Sequence, residues 1–139
     1  MKYPYRVVAG GVDIAGRPTK RAIIEVEISR GGPGRKFLAL VDSGADQITM
    51  PAAIADALGI DRSACPQRPM MGISMERTDG FVAQVMIRIR PHIEPITVPV
   101  VFIDTDVPVL LGQEGFFDRY RVKFEKDHDI FEIVPAPQR

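Results

Sequence analysis

A wholly apolar segment, Leu38-Ala39-Leu40-Val41, runs straight into an aspartate and a tight Asp42-Ser43-Gly44-Ala45 turn, and that junction limits the folds open to the chain. The apolar run, entered from Lys36, reads as a strand whose far end lies deep inside the molecule. A carboxylate at the end of such a strand is costly to hold ionised away from water unless hydrogen bonds or a shared proton offset its desolvation. Gly44 lets the backbone turn and come close to another group, and Ala45 leaves space beside the carboxylate. Taken alone, though, Asp, Ser and Gly are common turn formers, and the tetrapeptide reads as a turn that caps the helix region at Pro51.

The rest of the chain is punctuated by twelve Gly and twelve Pro into short segments rich in Val, Ile and Phe, which predicts a mainly β fold. Arg21 to Ser29 alternates Ala22, Ile24, Val26 and Ile28 with Arg21, Ile23, Glu25 and Glu27, the period-two pattern of a half-buried strand. Gly31 to Gly34 turns the chain into the strand that ends at Val41. Pro51 to Leu58, alanine-rich and followed by Gly59, predicts one early helix. Met70 to Ser74 and Phe81 to Ile89 read as extended chain around a polar turn at Glu76 to Gly80, and Ile96 to Phe102 as a further strand. Val107 to Leu111 is an apolar run ended by Gly112, a short helix is expected at Gln113 to Asp118, and Arg121 to Val134 reads as a hairpin turning at Lys126 to Asp129. Residues 1–20 are read as an extended arm with turns, 21–134 as one domain, and 135–139 as a tail.

A length of 139 residues suits one core and is too short for two domains of ordinary size. Eighteen basic residues balance eighteen acidic ones, so no whole-molecule field attracts nucleic acid or an anionic membrane, and neither is expected as a partner. No apolar run approaches the about 20 residues of a membrane-spanning helix. The lone Cys65 excludes an internal disulfide, and Met1 to Tyr5 lacks the apolar run of a secretion signal, so a cytoplasmic location is expected. His92 and His128 stand too far apart for a metal signature, Cys65 has no neighbouring ligand, and no cofactor or metal is expected. Ser43 lacks the Gly-x-Ser-x-Gly setting of a nucleophile elbow.

A second element changes the weight of the acidic turn. Val109-Leu110-Leu111-Gly112 places hydrophobic residues before a glycine, well downstream of Asp42. Together the two stretches resemble the retropepsin-like aspartic proteases, in which a hydrophobic-hydrophobic-Asp-Ser/Thr-Gly-Ala turn carries catalysis and a later hydrophobic-hydrophobic-Gly strand threads beside it. The resemblance covers roughly Arg21 to Val134 and implies an acid-protease barrel, with a helix after the catalytic turn and a short one after the Leu-Leu-Gly strand. It implies Asp42 as the catalytic carboxylate, Ser43 as a hydroxyl bonding across to a partner's matching turn, and Gly44 as part of the same catalytic turn. Leu40, Ala45, Asp46, Pro108 and Leu110 then fall along a substrate groove, with Met71, Gly72, Ile73 and Ser74 near a flap that closes over a bound peptide. Each of these pocket positions reads equally as ordinary strand packing.

Retroviral members usually carry Arg after the later glycine, paired with the acid that follows the turn; here Gly112 is followed by Gln113, leaving Asp46 without that partner. The flap region is also poor in glycine, and both departures fit a cellular or bacterial relative. The chemistry needs two carboxyls about one water, and the chain has a single such turn, because Asp104-Thr105-Asp106 lacks the glycine. A two-fold homodimer acting on peptide or protein substrates is the economical expectation. The alternatives are a protease-like module that binds peptides or dimerises without cutting them, and an unrelated small β-barrel in which the acidic turn is accidental.

Overall fold

The computed structural model describes residues 1–71, 77–90 and 94–137. Within these, the strands are β1 (Lys2–Pro4), β2 (Arg6–Val12), β3 (Pro18–Arg21), β4 (Ile23–Ser29), β5 (Arg35–Val41), β6 (Ile48–Pro51), β7 (Gln67–Met71), β8 (Arg77–Ile89), β9 (Ile96–Ile103), β10 (Val109–Leu111), β11 (Tyr120–Glu125) and β12 (Ile130–Pro135). One α-helix, α1 (Ala52–Ala57), follows β6, and single 3-10 turns lie at Arg62–Ala64 and Lys126–His128.

Period-two alternation sets which way each barrel strand faces. In β4 and just before it, Ala22, Ile24, Val26 and Ile28 are buried, while Glu25 and Glu27 point outward. β8 repeats the pattern, with Phe81, Val85, Ile87 and Ile89 inside. β6 is buried almost throughout and β9 through its second half, and there they pair in parallel, Ile48 with Val100 through Pro51 with Ile103. Parallel pairs of this kind occur where both faces are covered, which explains their nearly continuous apolar sequence.

A seven-stranded sheet runs β4-β5-β10-β6-β9-β8-β7, and β4 pairs again with β8. That extra pairing, Val26 with Ile89 through Ser29 with Met86, closes six strands into a barrel and leaves β7 as a hairpin arm on the first half of β8. Closure removes the exposed edges of those six strands. On the outward face of the closing seam, Glu27 meets Arg90 at 3.3 Å and Arg88 at 3.9 Å, contacts that fix register more than they add stability.

Helix α1 ends as its sequence predicts. Gly59 takes φ +73°, its N–H donates to the Asp56 carbonyl and the Ile60 N–H to the Ala55 carbonyl, the paired bonds of a Schellman stop. Among the described residues, no helix is long and apolar enough to cross a membrane.

Two local expectations change. Arg77 to Gly80 was expected in a polar turn but forms the start of β8, opposite Met71 to Arg68. Gly80 is needed there for proximity rather than for turning: a Cβ would sit 2.9 Å from the Phe102 carbonyl oxygen of β9. The stretch 113–118 is not a regular helix. The Phe117 N–H donates to the Gly112 carbonyl and the Asp118 N–H to the Gln113 carbonyl, wide six-residue turns in which Phe116 enters the core.

The first residues pack on the chain itself. β1 pairs with β12 to make a sheet in the order β1-β12-β11, and β2 and β3 form a separate hairpin with Val7, Val12 and Ile14 exposed. The hairpin base is tied down by Lys20, whose Nζ donates to Asp129 Oδ2 at 2.9 Å, and Asp129 itself takes φ +54° in the β11–β12 turn.

Two predictions follow from this packing. Phe102, fully buried and stacked on Phe81 at 5.4 Å, should cost about 3–5 kcal/mol when replaced by Ala, read as a lowered urea midpoint with unchanged slope. The hydrogen bond from Lys20, aided by Lys126, lowers the Asp129 pKa below the ordinary aspartate value. Its contribution is therefore present above that ordinary value and lost as pH falls through the depressed one. Lys20→Met should raise the Asp129 titration midpoint in side-chain NMR and flatten acid destabilisation in that window; an unmoved midpoint would show that the tie does not form in solution.

Candidate active site

β5 delivers Asp42 to the surface of the barrel. Ala39 and Val41 face the core, so alternation puts Leu38, Leu40 and Asp42 on the opposite side of the strand. β10 runs parallel beside it, Val109 with Ala39, Leu110 with Leu40 and Leu111 with Val41. Leu110, half-buried between buried Val109 and Leu111, therefore joins Leu40 on the face that carries Asp42. Across its other edge Leu110 pairs with buried Thr49 of β6.

The turn is held almost entirely by main chain. The Asp42 N–H donates to the Leu111 carbonyl at 3.1 Å, and the Ala45 N–H closes the turn onto the Asp42 carbonyl at 3.2 Å. Gln113 and Glu114 then donate their N–H groups to the carbonyls of Ala45 and Asp46, each at 2.9 Å. Residues 111–114 thus run as a clamp along 42–47. Gly112 makes the clamp possible, because a Cβ there would lie 2.3 Å from the Gln47 oxygen and 2.6 Å from the Ala45 oxygen.

The Asp42 carboxylate is half-buried, and the Gly44 N–H donates to its Oδ1 at 2.9 Å. This Asx-type bond fixes the rotation of the carboxylate relative to the turn. Its other oxygen and the Ser43 hydroxyl make no hydrogen bond among the described residues, and Ser43 is exposed. The amide of Gln113 reaches the same turn from outside, Nε2 donating to the Ser43 carbonyl at 2.7 Å.

The structure brings Asp42, Ser43, Gly44, Ala45, Leu40 and Leu110 together on one face. Asp46 is exposed at the end of the turn, held through its backbone carbonyl. Pro108 is exposed just before β10, at the end of the 104–108 turn, although it belongs to the run from Val107 to Leu111 that reads as apolar in sequence. Of the flap positions, Met71 ends β7 opposite Arg77, while Gly72, Ile73 and Ser74 lie outside the described residues. Sequence reading missed two contacts. One is the Gln113 amide, noticed only as an absent arginine. The other is Arg62, whose guanidinium lies 5.0 Å from the Phe81 ring centre and donates to Asp104 Oδ2 at 2.8 Å, joining the base of the β7–β8 hairpin to the start of the 104–108 turn. That hydrogen bond raises the Arg62 pKa. A half-buried arginine in a single 3-10 turn carries no periodic signal that would single it out.

A closed six-stranded barrel that presents one carboxylate on a turn interlocked with a parallel strand is the architecture of the retropepsin-like aspartic proteases. Solved structures agree on the fold. EIAV protease complexed with the inhibitor HBY-793 superposes with a TM-score of 0.54 at 22% identity, covering 68% of this chain and 83% of that one. A retropepsin-like aspartic protease from Rickettsia conorii gives 0.54 at 18% identity over 95% of this chain and 99% of its own. No curated protein matches the chain. The aspartyl protease family model matches residues 24–114, from β4 through the clamp on the turn, and the chain belongs to that family: it is an aspartic-type peptidase.

The interlock gives a direct test. Gly112→Ala should lower stability by about 1–3 kcal/mol or more and reduce peptide cleavage, because the added carbon must push the turn off β10. Gly32→Ala, with open space around it, should stay within about 0.5 kcal/mol of wild type. Equal effects of the two substitutions in chemical denaturation would refute the close approach.

Proposed function

We propose that the chain is an endopeptidase that works as a homodimer, with the Asp42 turns of two copies meeting about one water molecule. The observation that carries this reading is the single turn per chain: one carboxylate with one oxygen already held by Gly44, beside an exposed Ser43 hydroxyl with no bond of its own among the described residues. Like charges at a few ångströms disfavour double ionisation, so the pair holds one proton between its members.

One Asp42 carboxylate takes a proton from the water as its oxygen attacks the scissile carbonyl carbon. The protonated Asp42 of the other copy donates to the carbonyl oxygen. The tetrahedral intermediate collapses when the amide nitrogen receives a proton and the C–N bond breaks, leaving a carboxylic acid and an amine and restoring one proton to the pair. Ser43 bonds across to the partner's turn and keeps the carboxyls coplanar. Leu40, Ala45, Asp46, Leu110 and Pro108 line the groove for an extended peptide. The apolar pair Leu40 and Leu110 favours apolar side chains at the cut. The free, half-buried Cys65 fits a reducing cytoplasm.

Asp42→Asn should lower kcat by roughly 10²–10⁴-fold with the fold retained. Mixing that variant with wild type under subunit exchange tests the shared site. If each site draws one carboxyl from each copy, activity falls as the square of the wild-type fraction, and a linear fall would sink the dimeric mechanism. The rate profile should be bell-shaped, requiring one proton on the pair; a rate still climbing through alkaline pH contradicts it.

A further inference from the structure

We propose that Gln113 is a positioning residue for the Asp42 carboxylate, acting through the Ser43–Gly44 peptide bond; this deepens, and rests on, the reading of Asp42 as the catalytic acid. The two contacts involved belong to opposite ends of one peptide unit. Its carbonyl, on Ser43, accepts from Gln113 Nε2 at 2.7 Å, and its N–H, on Gly44, donates to Asp42 Oδ1 at 2.9 Å. Because the peptide is planar and stiff, anchoring the oxygen fixes the direction of the N–H.

This peptide needs an anchor more than its neighbours do. Glycine accepts either sign of φ, so a unit ending in Gly44 rotates between its flanking Cα atoms at little steric cost. Three other carbonyls of the turn are fixed by main chain: Asp42 by the N–H of Ala45, Ala45 by Gln113 and Asp46 by Glu114. Among the described residues, the Ser43 carbonyl is met by a side chain alone. Without the Gln113 amide, the unit is free to swing and carry the Gly44 N–H away from the carboxylate. Bonds in series also polarise one another, so the amide strengthens the bond to Asp42 as well as aiming it.

The side chain suits the task. An amide donates without carrying charge, so it holds the turn without placing a cation among Asp42, Asp46 and Glu114. Gln113 is exposed and leaves the core untouched when altered.

Gln113→Met keeps the length and removes the donor. On a cleaved peptide it should lower kcat about tenfold, leave KM within about twofold and preserve the melting temperature. Gln113→Glu supplies a readout that general loss of structure would not move. Only the protonated acid donates to the Ser43 carbonyl, so its activity relative to wild type at the same pH should rise as pH falls through the glutamate range. Asp42, Asp46 and Glu114 are the other carboxyls of the interlocked turn and are present in both proteins, and Gln113→Met, which adds no carboxyl, should show a flat ratio over the same range. Amide NMR tests the tether without catalysis: in Gln113→Met the Gly44 proton should shift upfield and exchange faster. Wild-type protein that cleaves no peptide would defeat the catalytic reading of Asp42, leaving the spectrum to judge the tether. Cleavage by Gln113→Met at wild-type kcat, a flat pH ratio for Gln113→Glu, or an unmoved Gly44 amide would overturn the inference.

Discussion

Two backbone segments far apart in sequence touch with no side chain between them, and the site depends on that contact. Gly112 lies against the carbonyls of Ala45 and Gln47, so the end of β10 and the turn after β5 behave as one body. Neither segment could hold this shape alone. A turn projecting from one strand has few internal bonds, and a three-residue strand has little cooperativity of its own. Interlocked, they exchange three main-chain hydrogen bonds, from Asp42 N–H to Leu111 and from Gln113 and Glu114 N–H back to the turn, beside the turn's own closing bond at Ala45. Main-chain bonds of this sort set positions with little loss of side-chain entropy, which suits a group that must be placed to within a fraction of an ångström.

The barrel supplies the rigid frame behind that contact. β5 and β10 are parallel neighbours, and β6 follows the turn to pair with both β10 and β9. Every strand that enters or leaves the turn is thus buried on its core face among Val41, Ile48, Met50, Val109 and Leu111. Displacing the turn would expose part of this cluster, at roughly 25 cal/mol for each square ångström of apolar surface uncovered. The outward residues of the same strands, Leu40 and Leu110, stay half-buried on the face that carries Asp42, because alternation denies them the core.

Much of this was legible along the chain wherever the deciding interaction is local. Alternation in Ala22 to Ile28 gave the inward face of β4, Gly59 marked the end of α1, and the β11–β12 hairpin turns where Lys126 to Asp129 suggested. The junction at Val41–Asp42 was visible because an apolar run ending in an acid is rare without a reason. What local pattern cannot hold is a partner chosen across the fold. Residues 77–80 look like a turn by composition, yet they are strand because β7 pairs with them. Residues 113–118 have helix-like spacing, but the clamp on the Asp42 turn and the burial of Phe116 draw them into wider turns. The barrel closure by β4 and β8 leaves no mark in either strand's own periodicity.

Gln113 shows how the same position can be read in two ways. From the sequence it is a missing cation, and the acid beyond the turn loses an ion pair. In the structure the turn is secured by a different route, a neutral donor on the Ser43 carbonyl. The substitution has a physical consequence for the chemistry. Hydrolysis by paired carboxyls needs one proton on the pair, which favours mildly acidic conditions, and an ion pair that depends on an ionised acid weakens as pH falls toward the carboxylate range. An amide-to-carbonyl bond has no titrating partner in that range. If Asp42 works as one of a proton-sharing pair, as proposed, a turn held by main chain and by Gln113 keeps its geometry under the conditions that load the proton, and the placement of the carboxylate is separated from its protonation.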